Sequence, residues 1–282
     1  MSRSIYVNGS YRPEEEATVS IFDRAFLFGD AVYEVTAVLD RRLVDFEAHL
    51  ARLDRSLKEI TLAPPLSHEE LRALHDELIR RNGVEEGIVY LQISRGVADR
   101  DFAYPENTAP TVVAFTQSRP LLANPYAEIG VKVVTIPDLR WKRRDIKSTS
   151  MLAQTMGKQE AKLTGVYEAW MVENGLVTEG TSSSAFIFDA QGVIRTQPLG
   201  HHILPGVTRR AVLRLAALEG VSLEERPFSV AEALSAREAF MTAASAFVLP
   251  VVEIDGVGIG AGHPGPIARK FRALYIEEAR RS

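Results

Sequence analysis

The sequence predicts an α+β fold in two domains, on three observations. Strand-like and helix-like stretches are mixed without the regular alternation of a doubly wound parallel sheet. A stretch with two prolines and weak periodicity, "SRPLLANPYAE" at 118–128, interrupts the pattern. The length, 282 residues, is enough for one or two sizeable cores. The expected division is an amino-terminal domain over 1–118, a linker over 119–128 and a carboxy-terminal domain over 129–282.

The elements follow in order. "IYVNGSYRP" reads as a hairpin with Asn8-Gly9 at the turn, and "VTAVLDRRLVDF" as a second hairpin. Phe46, Leu50, Leu53, Leu57 and Ile60 fall on one face of a helix. Ser67 and Glu70 form a capping box for the next helix, which stops at Asn82-Gly83. "GIVYLQISRG" and "PTVVAFTQ" are strand-like. Beyond the linker come the strand "GVKVVTIP", a helix over 150–164, the strand "YEAWMVEN" and the hairpin "SAFIFDAQGVIRT". "LPGVTRRAVLRLAALEG" is a helix opened by Pro-Gly and closed by Gly220. Helices over 229–236 and 265–281 complete the series.

Composition narrows the function. A net charge of −4 gives no reason to expect a nucleic-acid partner. The absence of cysteine excludes disulfides, thiolate nucleophiles and cysteine metal sites. No apolar stretch approaches 18 residues and the amino terminus lacks an apolar core, so no membrane association and a cytoplasmic location are expected.

"RRDIKSTS", 143–150, holds one candidate for covalent chemistry. Lys147 is one of seven lysines against 26 arginines. A lysine amine attacks a carbonyl only when neutral, a state favoured by burial or neighbouring cations. Lys142, Arg143, Arg144 and Ile146 lie close in sequence. The bland alternative is a solvated surface lysine.

Other stretches change that balance. In "VTEGTSSSAF", 177–186, Glu179 and Gly180 precede the hydroxyl run Thr181–Ser184, which includes Ser183. Hydroxyls and amides can hold a phosphate, and a glutamate can pair with a protonated pyridine nitrogen. In "LPGVTRR", 204–210, Val207 and Thr208 open a helix whose free amides favour an anion. Arg52 lies beside the apolar stripe of its helix, with His49 three residues earlier, where a guanidinium could bind phosphate in two-point fashion. Read singly, these are a polar loop, a helix start and a salt-bridged arginine. The adjacent His201 and His202 lack metal-spaced partners and read as loop residues, so no metal is expected.

Taken together, "VYEV" (32–35), "HLARLDRS" (49–56), "RWKRRDIKSTSMLAQTMGKQEA" (140–161), "VTEGTSSSAFIF" (177–188) and "ILPGVTR" (203–209) resemble, in order and spacing, the fold-type IV pyridoxal-phosphate aminotransferases. The resemblance covers nearly the whole chain and is strongest to D-amino-acid aminotransferases through "GDAVYEV" and "VYLQISRGVADRDFAYP". It implies a smaller amino-terminal and a larger carboxy-terminal α/β domain, pyridoxal 5'-phosphate as cofactor and a homodimer. Lys147 is then the Schiff-base lysine and proton carrier, and Arg52 the phosphate-binding arginine. Glu179 is the partner of the ring nitrogen, and Ser183, Val207 and Thr208 join the cofactor site. Leu204 packs on the ring, Tyr33 lines the substrate pocket and Arg100 meets the substrate carboxylate. The implied reaction moves an amino group from a D-amino acid donor to a 2-oxo acid acceptor. Branched-chain L-aminotransferase, (R)-amine transaminase and aminodeoxychorismate lyase are the alternatives.

Two departures from the family pattern stand out. Phe102 occupies the position of a histidine that normally helps Arg100 with the carboxylate, and Asp101 adds a negative charge there. In "FMTAASAFVLPV", 240–251, Ala244 stands where a phosphate-binding threonine is usual, leaving Thr242 or Ser245 to compensate.

Overall fold

A computed structural model describes residues 2–281, which divide into two compact units. The first comprises the chain through Pro120 together with Ile146–Ser150; the second comprises Leu121–Asp145 and Met151–Arg281. The stretch expected as a linker therefore divides at Pro120. From Leu121 onward it belongs to the second unit, where the Leu121 carbonyl accepts a hydrogen bond from Arg272 at 2.8 Å.

The first unit contains β1 (Ser4–Val7), β2 (Ser10–Pro13), α1 (Arg24–Phe28), β3 (Ala31–Leu39), β4 (Arg42–Leu43), α2 (Phe46–Glu59), α3 (His68–Asn82), β5 (Glu86–Ser94) and β6 (Thr111–Ser118). Its six strands form one sheet in the order β2-β1-β6-β5-β3-β4. Asn8 and Gly9 take φ of 47° and 87°, a turn whose twist matches the strands it joins. The β3–β4 turn uses Asp40 and Arg41, at φ 50° and 64°, without glycine.

Ile60 caps helix α2 just past its end and is only partly buried, while the helix buries Phe46, Leu50, Leu53 and Leu57 of the predicted stripe. It also buries a polar seam, His49, Arg52 and Ser56, along the edge of that stripe. The capping box of α3 is formed, and Gly83 at φ 60° ends the helix in the left-handed conformation.

The second unit contains α4 (Tyr126–Ile129), β7 (Val131–Pro137), α5 (Leu152–Leu163), β8 (Glu168–Glu173), β9 (Leu176–Gly180), β10 (Ser184–Phe188), β11 (Ile194–Thr196), α6 (Val207–Leu218), β12 (Leu223–Glu225), α7 (Val230–Leu234), β13 (Glu238–Ala243), β14 (Phe247–Ile254), β15 (Val257–Gly258) and α8 (Pro266–Ala279). The sheet order is β12-β11-β10-β13-β14-β7-β8-β9, with β15 paired to β14. Strands β7 and β8 are parallel, which requires a long crossover, and α5 lies in it. Trp170, Phe186, Phe240, Phe247 and Phe271 are fully buried in this unit. No described helix is long and apolar enough to cross a membrane.

Candidate active site

Lys147 sits in an extended segment tied edge-on to β3. Its carbonyl accepts the Tyr33 amide at 3.0 Å, and the Thr149 amide donates to the Ala31 carbonyl at 3.0 Å. Its own amide donates to Ser56 Oγ at 3.4 Å, so the polar seam of α2 meets the lysine backbone. The half-buried side chain places Nζ 4.0 Å from the centre of the Tyr33 ring. Among the described residues no carboxylate is paired with this ammonium. By contrast, Lys142 is engaged by Glu173 at 2.7 Å. Tyr33 stacks on Tyr90, and Tyr90 on Phe115, at 5.5 and 4.8 Å between ring centres.

Arg52 projects from α2 into a buried cluster with Glu34 of β3. Its Nε and Nη2 donate to the two Glu34 oxygens at 2.8 and 2.7 Å, a fork that fixes the guanidinium plane. His49 Nδ1 completes the cluster at 2.7 Å from Glu34 Oε2. Burial pushes the Glu34 carboxyl up, but Arg52 and His49 outweigh it and hold the group well below its ordinary range. Glu34 lies inside the "VYEV" motif, yet nothing in the sequence marks it as the partner of a residue eighteen positions away.

The Arg100 loop carries no regular structure. Arg100 lies 5.3 Å from the Phe28 ring centre and 5.4 Å from that of Phe102, and no ion pair engages it among the described residues. Phe102 is 78% exposed. The Asp101 carboxylate accepts the Ala103 amide at 3.0 Å rather than pairing with Arg100.

In the second unit, Glu179 stands near the end of β9 and is buried. It accepts the Leu204 amide at 3.1 Å and a charged hydrogen bond from Arg140 Nη1. Burial pushes the Glu179 carboxyl above its ordinary range, against the pull of Arg140 and the Leu204 amide. Arg140 is itself held by Asp138, through Nε at 2.9 Å and Nη2 at 2.7 Å. Neither Asp138 nor Arg140 stands out as a site residue in the sequence, although Arg140 opens one of the motif stretches.

The start of α6 has Gly206 as its cap, with no side chain closing the helix amides. A Cβ at Gly206 would come within 2.8 Å of Ser184 Oγ, so glycine keeps this approach open. Ser184 is the cross-strand partner of Thr242, and partners in a sheet project from the same face. Thr242 Oγ1 is buried and has no hydrogen-bond partner among the described residues.

The hydroxyl run behaves differently from its sequence appearance. Thr181, Ser182 and Ser183 all donate to the fully buried carboxylate of Glu168, Ser182 at 2.9 Å and Ser183 at 3.4 Å. Ser184, not Ser183, has its hydroxyl beside Gly206. Ala244 and Ser245 lie in the turn joining β13 and β14.

Known proteins match this arrangement over most of its length. The family described as amino-transferase class IV matches residues 31–254. The chain belongs to the class IV aminotransferases. The chain is 39% identical to a D-alanine aminotransferase of Bacillus licheniformis over 270 residues, 95% of this chain and 94% of the relative. It is 37% identical to a D-alanine aminotransferase of Staphylococcus aureus over 279 residues, 97% and 98% of the two chains. Among solved structures, the T.th. branched-chain amino acid aminotransferase with pyridoxamine 5'-phosphate superposes with a TM-score of 0.90 at 25% identity, covering 99% of this chain and 94% of the other. As a class IV aminotransferase the chain works with pyridoxal 5'-phosphate on an amino donor and a 2-oxo acid acceptor.

The residues present suit that cofactor. The uncapped amides at the start of α6, the close approach kept by Gly206 and the orphaned Thr242 hydroxyl suit a phosphate ester. The buried Glu179 suits a protonated ring nitrogen, and Lys147, free of a carboxylate, suits an aldehyde.

Proposed function

We propose that this aminotransferase takes its amino group from a D-amino acid, with Lys147 as the covalent anchor and proton carrier. The observation that carries the assignment is the setting of Lys147. Its backbone is pinned to β3 and its amine lies over Tyr33, with no carboxylate paired to it among the described residues. The near full-length likeness to D-alanine aminotransferases supports the choice of donor.

When bound, pyridoxal phosphate supplies an aldehyde for amine capture and a ring that accepts the electron pair left at Cα. The remaining work falls to the chain. Lys147 would hold the cofactor through its amine and would carry the proton taken from the donor Cα. Glu179 keeps the ring nitrogen protonated. Arg52 and the amides of Val207 and Thr208 hold the phosphate, and Thr242 offers the hydroxyl that Ala244 lacks. Leu204 packs on the ring, with its amide already fixed by Glu179. Tyr33 lines the donor pocket and Arg100 binds the donor carboxylate. A homodimer in the cytoplasm is the working form we assign.

Phe102 favours a second activity. Its exposed ring beside Arg100 offers no hydrogen bond to a carboxylate but gives apolar contact to a donor without one, such as (R)-1-phenylethylamine. Offering D-alanine, L-leucine and (R)-1-phenylethylamine separately with 2-oxoglutarate decides the donor class. Consumption of D-alanine is expected; consumption of L-leucine alone would replace the reading with a branched-chain one.

A further inference from the structure

The ring-nitrogen partner Glu179 is not an isolated carboxylate but the inner end of a buried ion chain. Arg140 Nη1 donates to Glu179 Oε1, and the other face of the same guanidinium is clamped by Asp138. Asp138 is held in turn by Thr178 Oγ1 at 2.7 Å and by Arg144 Nη1 at 3.1 Å. Side-chain exposure is 5% for Arg140, 0% for Asp138, 7% for Glu179 and 1% for Arg144. The outer end is Glu173, which takes Arg144 at 2.9 Å and Lys142 at 2.7 Å near solvent. Thr178 also accepts from Arg140 Nη2 at 3.4 Å, and the Leu204 amide is the remaining donor on Glu179.

We infer that Arg140, braced by Asp138, is a positioning residue that keeps the proton shared by Glu179 and the cofactor ring nitrogen off the Glu179 carboxyl. The inference rests on the reading that Glu179 pairs with that nitrogen. One proton serves two acceptors there. Burial alone would put it on the carboxyl, since a neutral acid is cheaper to bury than an ion. A neutral Glu179 would face the ring nitrogen without charge and weaken the ring as an electron sink. Arg140 opposes that preference by placing a fixed positive charge in contact with the carboxylate, where little solvent screens it. Asp138 gives the guanidinium one orientation, because its two oxygens accept from Nε and Nη2 together and leave Nη1 directed at Glu179. Lysine could supply the charge but not this fork.

The test reads the carboxyl itself. Full-length protein labelled with 13C at the glutamate carboxyl is titrated by NMR, with and without pyridoxal phosphate, and E179Q assigns the Glu179 signal. In Arg140→Met the midpoint of that signal should rise by roughly one to three pH units. Arg140→Lys should give a smaller rise, because it keeps a cation but loses its aim. In the loaded protein the visible absorption band should change with pH at a correspondingly altered midpoint. An unmoved Glu179 midpoint in Arg140→Met overturns the inference. If that variant does not fold, an unmoved midpoint in Arg140→Lys overturns it. A visible spectrum in E179Q equal to the parent's at every pH would instead sink the ring-nitrogen reading, independently of what the Arg140 variants show.

Discussion

Tyr33 and Lys147 are joined twice: the tyrosine amide donates to the lysine carbonyl at 3.0 Å, and the lysine amine lies 4.0 Å from the centre of the tyrosine ring. The backbone bond fixes where the lysine leaves the chain, and the ring limits where its amine can go. Both residues belong to the first unit, so this relationship is internal to one packed body.

That pairing predicts different outcomes for two substitutions. Tyr33→Phe keeps the ring face and should leave turnover within about threefold of the parent. Tyr33→Ala frees the amine to wander, and misorientation of a reacting group costs up to about 100-fold in turnover. Steady-state assays of both variants at saturating pyridoxal phosphate check this. Equal turnover in the two would show that the ring does not orient the amine.

Arg52 has two duties, and its substitution should show both. Truncation to Ala removes the guanidinium paired with the buried Glu34 carboxylate, and breaking a buried ion pair costs roughly 3–5 kcal/mol. Arg52→Ala should therefore unfold at markedly lower denaturant and lose cofactor on dialysis. The double change Glu34→Gln with Arg52→Met leaves no stranded charge and should recover much of the stability but not the retention. Retention restored in the double variant would show that Arg52 does not hold the phosphate.

Acid should destabilise the first unit well before its carboxylates titrate. His75 is buried in α3, with Nδ1 donating to the Leu71 carbonyl at 2.7 Å. Burial lowers its pKa from 6.5 to about 4, and burial also lowers that of His49. A depressed histidine leaves the unfolded chain holding more protons than the folded one between those values. Stability is then complete above about pH 6.5 and falls as pH drops toward 4, by about 1.4 kcal/mol per pH unit for each such group. Urea unfolding at pH 7 and pH 5 measures the loss, and His75→Leu should reduce its pH dependence. An equal slope in that variant would exclude His75 as a source.

Arg100 should discriminate between donors. Losing one charged contact to a carboxylate costs roughly 1.5–3 kcal/mol, or about 10- to 150-fold in apparent KM. Arg100→Ala should show that rise for D-alanine and little change for (R)-1-phenylethylamine. Equal effects on both donors would make Arg100 structural.

Much of this arrangement is legible in the residues. The Asn8-Gly9 turn, the stripe from Phe46 to Leu57 and the Ser67–Glu70 capping box are local signals, and each is where the sequence places it. Strands β13 and β14 are harder to read, because "EAFMTA" and "FVLPVVEI" are buried on both faces and show no alternation. The turn at Asp40-Arg41 lacks the glycine that advertises such turns. Ion partners are chosen in space, which is why Arg140 on Glu179 and Glu34 on Arg52 carry no periodic trace. The hydroxyls of 181–183 mislead for the same reason. Their run suggests an anion cradle, but the buried Glu168 accepts from all three, and that carboxylate lies thirteen or more residues away.

Lys147 as the covalent anchor is the claim on which the rest depends. Borohydride reduction of the protein with pyridoxal phosphate, followed by proteolysis and mass spectrometry, reads the anchor directly. A single phosphopyridoxyl adduct on the peptide carrying Lys147 is expected. An adduct on Lys142 or Lys158, with Lys147 unmodified, would contradict that assignment.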